Sequence, residues 1–201
     1  MRDFRHELRH EACWDADVQA HFEVHGQPPD GRLLQNRDEL VAFCEWMEAN
    51  EIRSYLEIGV WTGHLITTLH GLFHFDKVAA CDINWARVMG FQMRLPFGVT
   101  YFEGSSHSDE YLAFRESLGH IDLVMIDGDH SYEGVKRDFE INRQFPHRFL
   151  GFHDITGTND GCDGVRQLWE ELDGCKTAIV LPQRECGLDH SLMGIGLWSA
   201  S

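Results

Sequence analysis

Apolar positions along this chain follow two alternating rhythms. Short, dense apolar runs read as buried strands at 54–58, 77–81, 99–103, 121–126, 148–153, 177–181 and 192–198. Between them, apolar residues recur at helical spacing over 39–48, 64–73, 84–93, 109–117, 132–144 and 163–172. Strands alternating with helices predict an α/β fold: a single Rossmann-like domain with a seven-stranded, mostly parallel sheet and helices on both faces. The last two strand runs are joined by 182–191 without a helix, so they should pair as a hairpin, making the last strand an antiparallel C-terminal edge. Residues 1–36 are mixed and polar and read as an N-terminal extension, with 37–201 as the domain proper.

Composition narrows the class. A chain of 201 residues with 43% hydrophobic content can bury a full core as one domain. Its net charge of −16, with no clustering of basic residues beyond Arg2, Arg5 and Arg9, argues against nucleic acid as a partner. No apolar run approaches the roughly 20 residues that span a bilayer, and the N-terminus has no signal-peptide h-region, so no membrane partner is expected. Six cysteines without a CxxC pair, with Cys44 and Cys81 inside apolar stretches, read as free thiols in a reducing cytoplasm.

Chemistry concentrates at strand ends. Ile126-Asp127-Gly128-Asp129-His130 and Phe152-His153-Asp154 each close an apolar run. Acidic and imidazole groups at the C-terminal ends of adjacent parallel strands converge in the crevice where open α/β sheets bind ligands. Upstream, Leu56-Glu57-Ile58-Gly59-Val60-Trp61-Thr62-Gly63 is a strand entering a glycine turn, followed by a helix with free N–H groups. Asp82 ends the second strand, placed to accept from ribose hydroxyls, and Gly104-Ser105-Ser106 offer a small polar edge for adenine. Trp61 stands where a dinucleotide loop has its third glycine, and so bulky a ring would obstruct a pyrophosphate. These features place a nucleotide-like cofactor beside a divalent metal site. The plainer alternative is ordinary βα turns, with Asp127 and Asp154 capping the helices that follow.

The motif set 56–63, Asp82, 104–106 and Asp127-Gly-Asp-His resembles the class I S-adenosylmethionine-dependent methyltransferases, over about 38–198. Within that class it is similar to the metal-dependent small-molecule O-methyltransferases, and 121–139 to a group including sugar O-methyltransferases and cephalosporin-hydroxylase-like proteins. The resemblance implies that Glu57, Gly59, Trp61 and Gly63 hold the methionine end of S-adenosylmethionine. Asp82 would take the ribose, Ile83 the adenine face, and Gly104, Ser105 and Ser106 its amino edge, with Asp127 also bordering the cofactor. Leu65 departs from the Ser or Thr that relatives often carry after the last glycine.

By the same resemblance Asp127, His153 and Asp154 would ligate a divalent metal and His130 would be the general base. A metal-gripped hydroxyl is acidified and aimed at the methyl group. His153 replaces a usual carboxylate, which tilts the ion from Mg²⁺ toward Mn²⁺, Fe²⁺ or Zn²⁺. Asp129 is an alternative ligand or base, and His153-Asp154 could act as base and orienter without metal. The expected activity is methyl transfer to a hydroxyl of a small-molecule acceptor, phenolic or sugar-bearing, by a homodimer. Alternatives are a metal-independent methyltransferase with a His base, a non-catalytic cofactor-binding protein and a metal-dependent hydrolase.

Other motifs compete. His6-Glu7-Leu8-Arg9-His10 matches the H-E-x-x-H zinc pattern, which needs a long buried helix, whereas a solvated N-terminal helix fits its charged surroundings better. His21 and His25 are spaced i, i+4 and read as surface or pocket-lining residues. Trp14, Phe22 and His25 fit a lid over the acceptor, or packing against the sheet edge or a second subunit. Asp160-Gly161-Cys162-Asp163 fits a turn and N-cap, or the acceptor pocket.

Overall fold

A computed structural model of the chain describes residues 2–158 and 161–200, so Asp160 lies outside the described residues. Its strands are β1 (Ser54–Ile58), β2 (Lys77–Asp82), β3 (Thr100–Glu103), β4 (Ile121–Ile126), β5 (His147–His153), β6 (Cys175–Ile179) and β7 (Ile195–Ser199). The helices are α1 (Phe4–Glu7), α2 (Ala16–His25), α3 (Arg37–Ala49), α4 (His64–Phe73), α5 (Trp85–Val88), α6 (Asp109–Leu118), α7 (Tyr132–Asn142) and α8 (Asp163–Glu171).

The seven strands form one sheet in the order β3-β2-β1-β4-β5-β7-β6, parallel except where β7 pairs with β5 and β6. The predicted hairpin is present, and the last strand is antiparallel. It is not the edge, however: β7 inserts between β5 and β6, leaving β6 outermost and parallel to β5. Every position of the central strands β1 and β4 is buried, because helices cover both faces. Alternate side chains therefore feed two cores. Tyr55, Leu123 and Met125 pack with Phe43, Met47, Ile66 and Leu69 of α3 and α4, whereas Leu56, Ile58, Val124 and Ile126 meet α6, α7 and α8 through Tyr111, Phe139 and Leu168. Phe4, Leu8, Cys13 and Leu33 from the N-terminal segment join the first core, and Trp14 and Val18 pack against Met193.

Three regions differ from the sequence pattern for visible reasons. The helix expected over 84–93 stops after α5, since Gly90 takes φ +86° and the following chain crosses the glycine turn, where Arg94 N–H donates to the Thr62 carbonyl at 3.0 Å. The last two strands occupy 175–179 and 195–199 instead of 177–181 and 192–198. Buried Glu39 of α3 accepts the amides of Leu181 (2.9 Å) and Gly194 (3.1 Å), drawing both ends away from the sheet. The N-terminal helix expected around 6–10 is present but shorter and earlier, as α1, while polar residues hide α2, which is capped by Asp15, whose carboxylate accepts from Asp17 and Val18 N–H.

Candidate active site

At the C-terminal ends of β1, β2 and β4, backbone approach sets the geometry. Gly59 has φ +81°, and a Cβ there would collide with the Asp127 carbonyl. Asp82 fixes the turn: its Oδ2 accepts from Val60 N–H (2.8 Å) and Trp61 N–H (3.2 Å), and its Oδ1 from Trp85 N–H (3.0 Å). The carboxylate expected to meet a ligand thus also staples the loop that would hold that ligand, a role that sequence spacing did not reveal.

These elements line a cavity of about 760 Å³. Its walls include Gly59, Trp61, Asp82, Ile83, Gly104, Ser105, Ser106, Asp127, Asp129, His130, His153 and Asp154. Two expected cofactor residues lie elsewhere. Glu57 borders a smaller recess of about 60 Å³ with Thr62 and His64, which shares Gly59, Trp61 and Asp127 with the main cavity. Gly63 lines neither; it opens α4 in the left-handed conformation, packed under the Arg94 carbonyl. Glu57 is buried, and burial pushes its carboxyl up to about 8, with the hydrogen bond from Tyr55 Oη (2.7 Å) offsetting only part of that and Asp127 adding to it.

The β4 and β5 ends carry the charge. His130 Nε2 lies 3.1 Å and His153 Nδ1 3.3 Å from Asp127 Oδ1. Asp154 Oδ2 lies 3.6 Å from both His130 Nδ1 and His153 Nδ1. Burial works against charge on all four groups, but mutual attraction outweighs it: both carboxyls are held below their ordinary range, His130 is raised and His153 is raised strongly. The two carboxylates and the protonated forms of the two rings thus stabilise one another. Asp154 itself has φ +60°, a conformation costly for a residue with a Cβ and retained here at the cavity wall. Donor atoms of Asp127, His153 and Asp154 lie within 4.8 Å of one another, two oxygens and one nitrogen, which fits a divalent cation of borderline softness better than Mg²⁺.

Several lining residues escaped the sequence reading: Leu34, Trp85, His107 and Met193. His107, 3.2 Å from buried Asp138 of α7, follows the Gly-Ser-Ser edge, but nothing in its spacing marked it. Trp14 reaches the cavity, Phe22 packs on it with ring centroids 5.5 Å apart, and His25 is exposed and off the wall. His21 and His25 meet with ring centroids 4.3 Å apart, tilted by 40°. The H-E-x-x-H segment does not form the required helix: α1 ends at Glu7, whose carboxylate is paired with Arg2. Cys162 is the N-cap residue of α8 without a side-chain cap bond, and burial and Asp154 hold its thiol protonated.

Known proteins share this fold. Residues 56–155 match the model of a methyltransferase domain family. The O-methyltransferase from Bacillus cereus in complex with S-adenosylhomocysteine superposes with a TM-score of 0.57 at 15% identity, over 94% of this chain and 98% of that one. The O-methyltransferase TomG from Streptomyces achromogenes, involved in tomaymycin synthesis and solved with S-adenosylmethionine, gives 0.57 at 15% identity, over 92% and 87%. No curated protein sequence matches the chain. No helix among the described residues is long and apolar enough to cross a membrane. With its glycine turn, its stapling aspartate and a matching family model over the strands that carry them, the chain belongs to the class I S-adenosylmethionine-dependent methyltransferases.

Proposed function

We propose that the protein transfers the methyl group of S-adenosylmethionine to a hydroxyl of a small molecule. The observation that carries this reading is the Asp127–His130–His153–Asp154 cluster on the wall of the cavity that also holds the Gly59–Trp61 turn and Asp82. Glu57, from the adjoining recess, and the backbone of 59–62 receive the methionine end, and Glu57 gives up its proton when the ligand's ammonium group arrives. Asp82 and Ile83 take ribose and adenine, and Gly104, Ser105 and Ser106 the amino edge. Trp14, Leu34 and Met193 give the cavity apolar walls that suit a phenolic acceptor, with Trp14 and Leu34 contributed by the N-terminal segment as a cover.

Catalysis is then mostly alignment. The acceptor oxygen, sulfonium carbon and departing sulfur must lie in line, so that the O–CH₃ bond forms as the S–CH₃ bond breaks. His130 accepts the hydroxyl proton from its neutral form, oriented by Asp127. Asp127, His153 and Asp154 would hold a divalent cation, Mn²⁺, Fe²⁺ or Zn²⁺ in preference to Mg²⁺. Such an ion, when bound, polarises the acceptor hydroxyl and lowers its pKa. The free cysteines fit a reducing compartment such as the cytoplasm.

The test is titration calorimetry with S-adenosylmethionine, followed by transfer of a labelled methyl group to a panel of catechols, simple phenols and sugars. Both are run after chelation and again with Mn²⁺. Donor binding with label appearing in a phenol is the expected result. Absence of donor binding under every condition sinks the reading.

A further inference from the structure

A second group of donors converges beside the proposed catalytic one. His130 Nδ1, Asp154 Oδ2 and Cys162 Sγ form a triangle with sides of 3.2 Å (nitrogen to sulfur), 3.4 Å (sulfur to oxygen) and 3.6 Å (nitrogen to oxygen). A tetrahedral cation with N and O ligands at about 2.0–2.2 Å and sulfur at about 2.3 Å separates its ligand atoms by about 3.4–3.6 Å. Each side of the triangle therefore lies within about 0.4 Å of the corresponding edge of such a tetrahedron. Its three corners come from separate elements: the turn after β4, the end of β5 and the residue preceding α8. Asp154 and Cys162 are buried, while His130 and Asp154 open onto the cavity, leaving the fourth vertex to a small molecule. A second feature is independent of the triangle. The remaining ring nitrogen of His130 already lies 3.1 Å from Asp127 Oδ1, the carboxylate contact that orients a metal-ligating imidazole.

We infer that His130, Asp154 and Cys162 form a binding site for a thiophilic divalent cation such as Zn²⁺. Uptake forms one metal–sulfur, one metal–nitrogen and one metal–oxygen bond, and the protons of the Cys162 thiol and of His130 Nδ1 pass to solvent. Thiolate in the donor set favours Zn²⁺ or Co²⁺ over Mg²⁺ and Mn²⁺. One consequence rests on the proposed function. With Nδ1 ligated and the Nε2 proton held by Asp127, His130 has no lone pair left for a hydroxyl proton, so the cation inhibits methyl transfer.

Cobalt is the probe, because a thiolate ligand gives Co²⁺ a near-ultraviolet charge-transfer band that nitrogen and oxygen ligands do not. Co²⁺ is titrated into the chelator-treated full chain and into Cys162→Ser, with circular dichroism confirming the fold of each. The band should appear in the wild type and be lost in the variant. Its absence from the wild type overturns the site, as does its survival in Cys162→Ser, which would place it on Cys175 or Cys186. In the transfer assay, Cys162→Ser should need about 10-fold or more Zn²⁺ for equal inhibition; equal sensitivity overturns the inhibitory role. A cobalt band without methyl transfer to any acceptor keeps the cation site and removes the proposed function. Transfer without a band does the reverse.

Discussion

The two halves of the crevice are built from different materials. On the β1–β2 side the walls are mostly backbone: a left-handed glycine, a turn whose amides point at Asp82, and small residues after β3. On the β4–β5 side they are side chains, two acids and two imidazoles set against one another within 3.6 Å. Backbone walls fix where a ligand lies and tolerate little change of conformation. Charged walls tune reactivity, and their geometry depends on every partner being present.

The sharpest way to break the backbone half is Gly59→Ala. The new methyl meets the Asp127 carbonyl in a backbone conformation hostile to alanine, so urea unfolding should show a loss of about 3 kcal/mol or more, with cofactor binding abolished. Breaking the other half with Asp154→Asn should leave donor affinity within about 3-fold while transfer or cation affinity falls about 10–100-fold. An equal loss of donor affinity would erase the distinction between the halves.

Glu57→Gln sharpens the comparison, since on the proposed function this acid serves the cofactor from beneath the backbone wall. Removing its charge-assisted contact should cost about 1.5–3 kcal/mol of donor binding by calorimetry. The sign of the pH effect follows from burial. The wild-type carboxyl, raised to about 8, ionises more readily as pH climbs, so donor affinity should rise through that range, whereas the Gln variant stays flat. The same raised group makes the cofactor-free fold lose stability between its ordinary value and about 8 as pH rises, a loss that Glu57→Gln should remove. The smallest effect is expected from Glu39→Gln, which weakens the hold on the β6–β7 connection: acceptor KM up about 3-fold, with donor affinity unchanged.

What the sequence disclosed follows the same division. Strand periodicity, Gly59, Asp82 and the Asp127 and His153-Asp154 strand ends were legible because local pattern sets them. The truncation of α5 was not, since it depends on Arg94 meeting Thr62 across the turn. Nor was the shortening of β6 and β7, imposed by a glutamate more than 140 residues away. Cys162 showed only a turn signal, and its approach to His130 exists only once α8 docks beside β4 and β5. Met193 and Leu34 entered the cavity through tertiary packing that no spacing records.

Glu39 grips the connection between β6 and β7 by two backbone amides, of Leu181 and Gly194, and one hydroxyl, of Ser191 at 2.6 Å. Two of these three contacts ask nothing of side-chain identity. The stretch between them is clipped into the scaffold at both ends and pinned within by buried Gln183 and Met193, while Arg184, Gly187, Asp189 and His190 are exposed. On the proposed function, replacing Met193, the residue of this stretch that lines the cavity, should shift acceptor preference while donor binding across the sheet is left as it is.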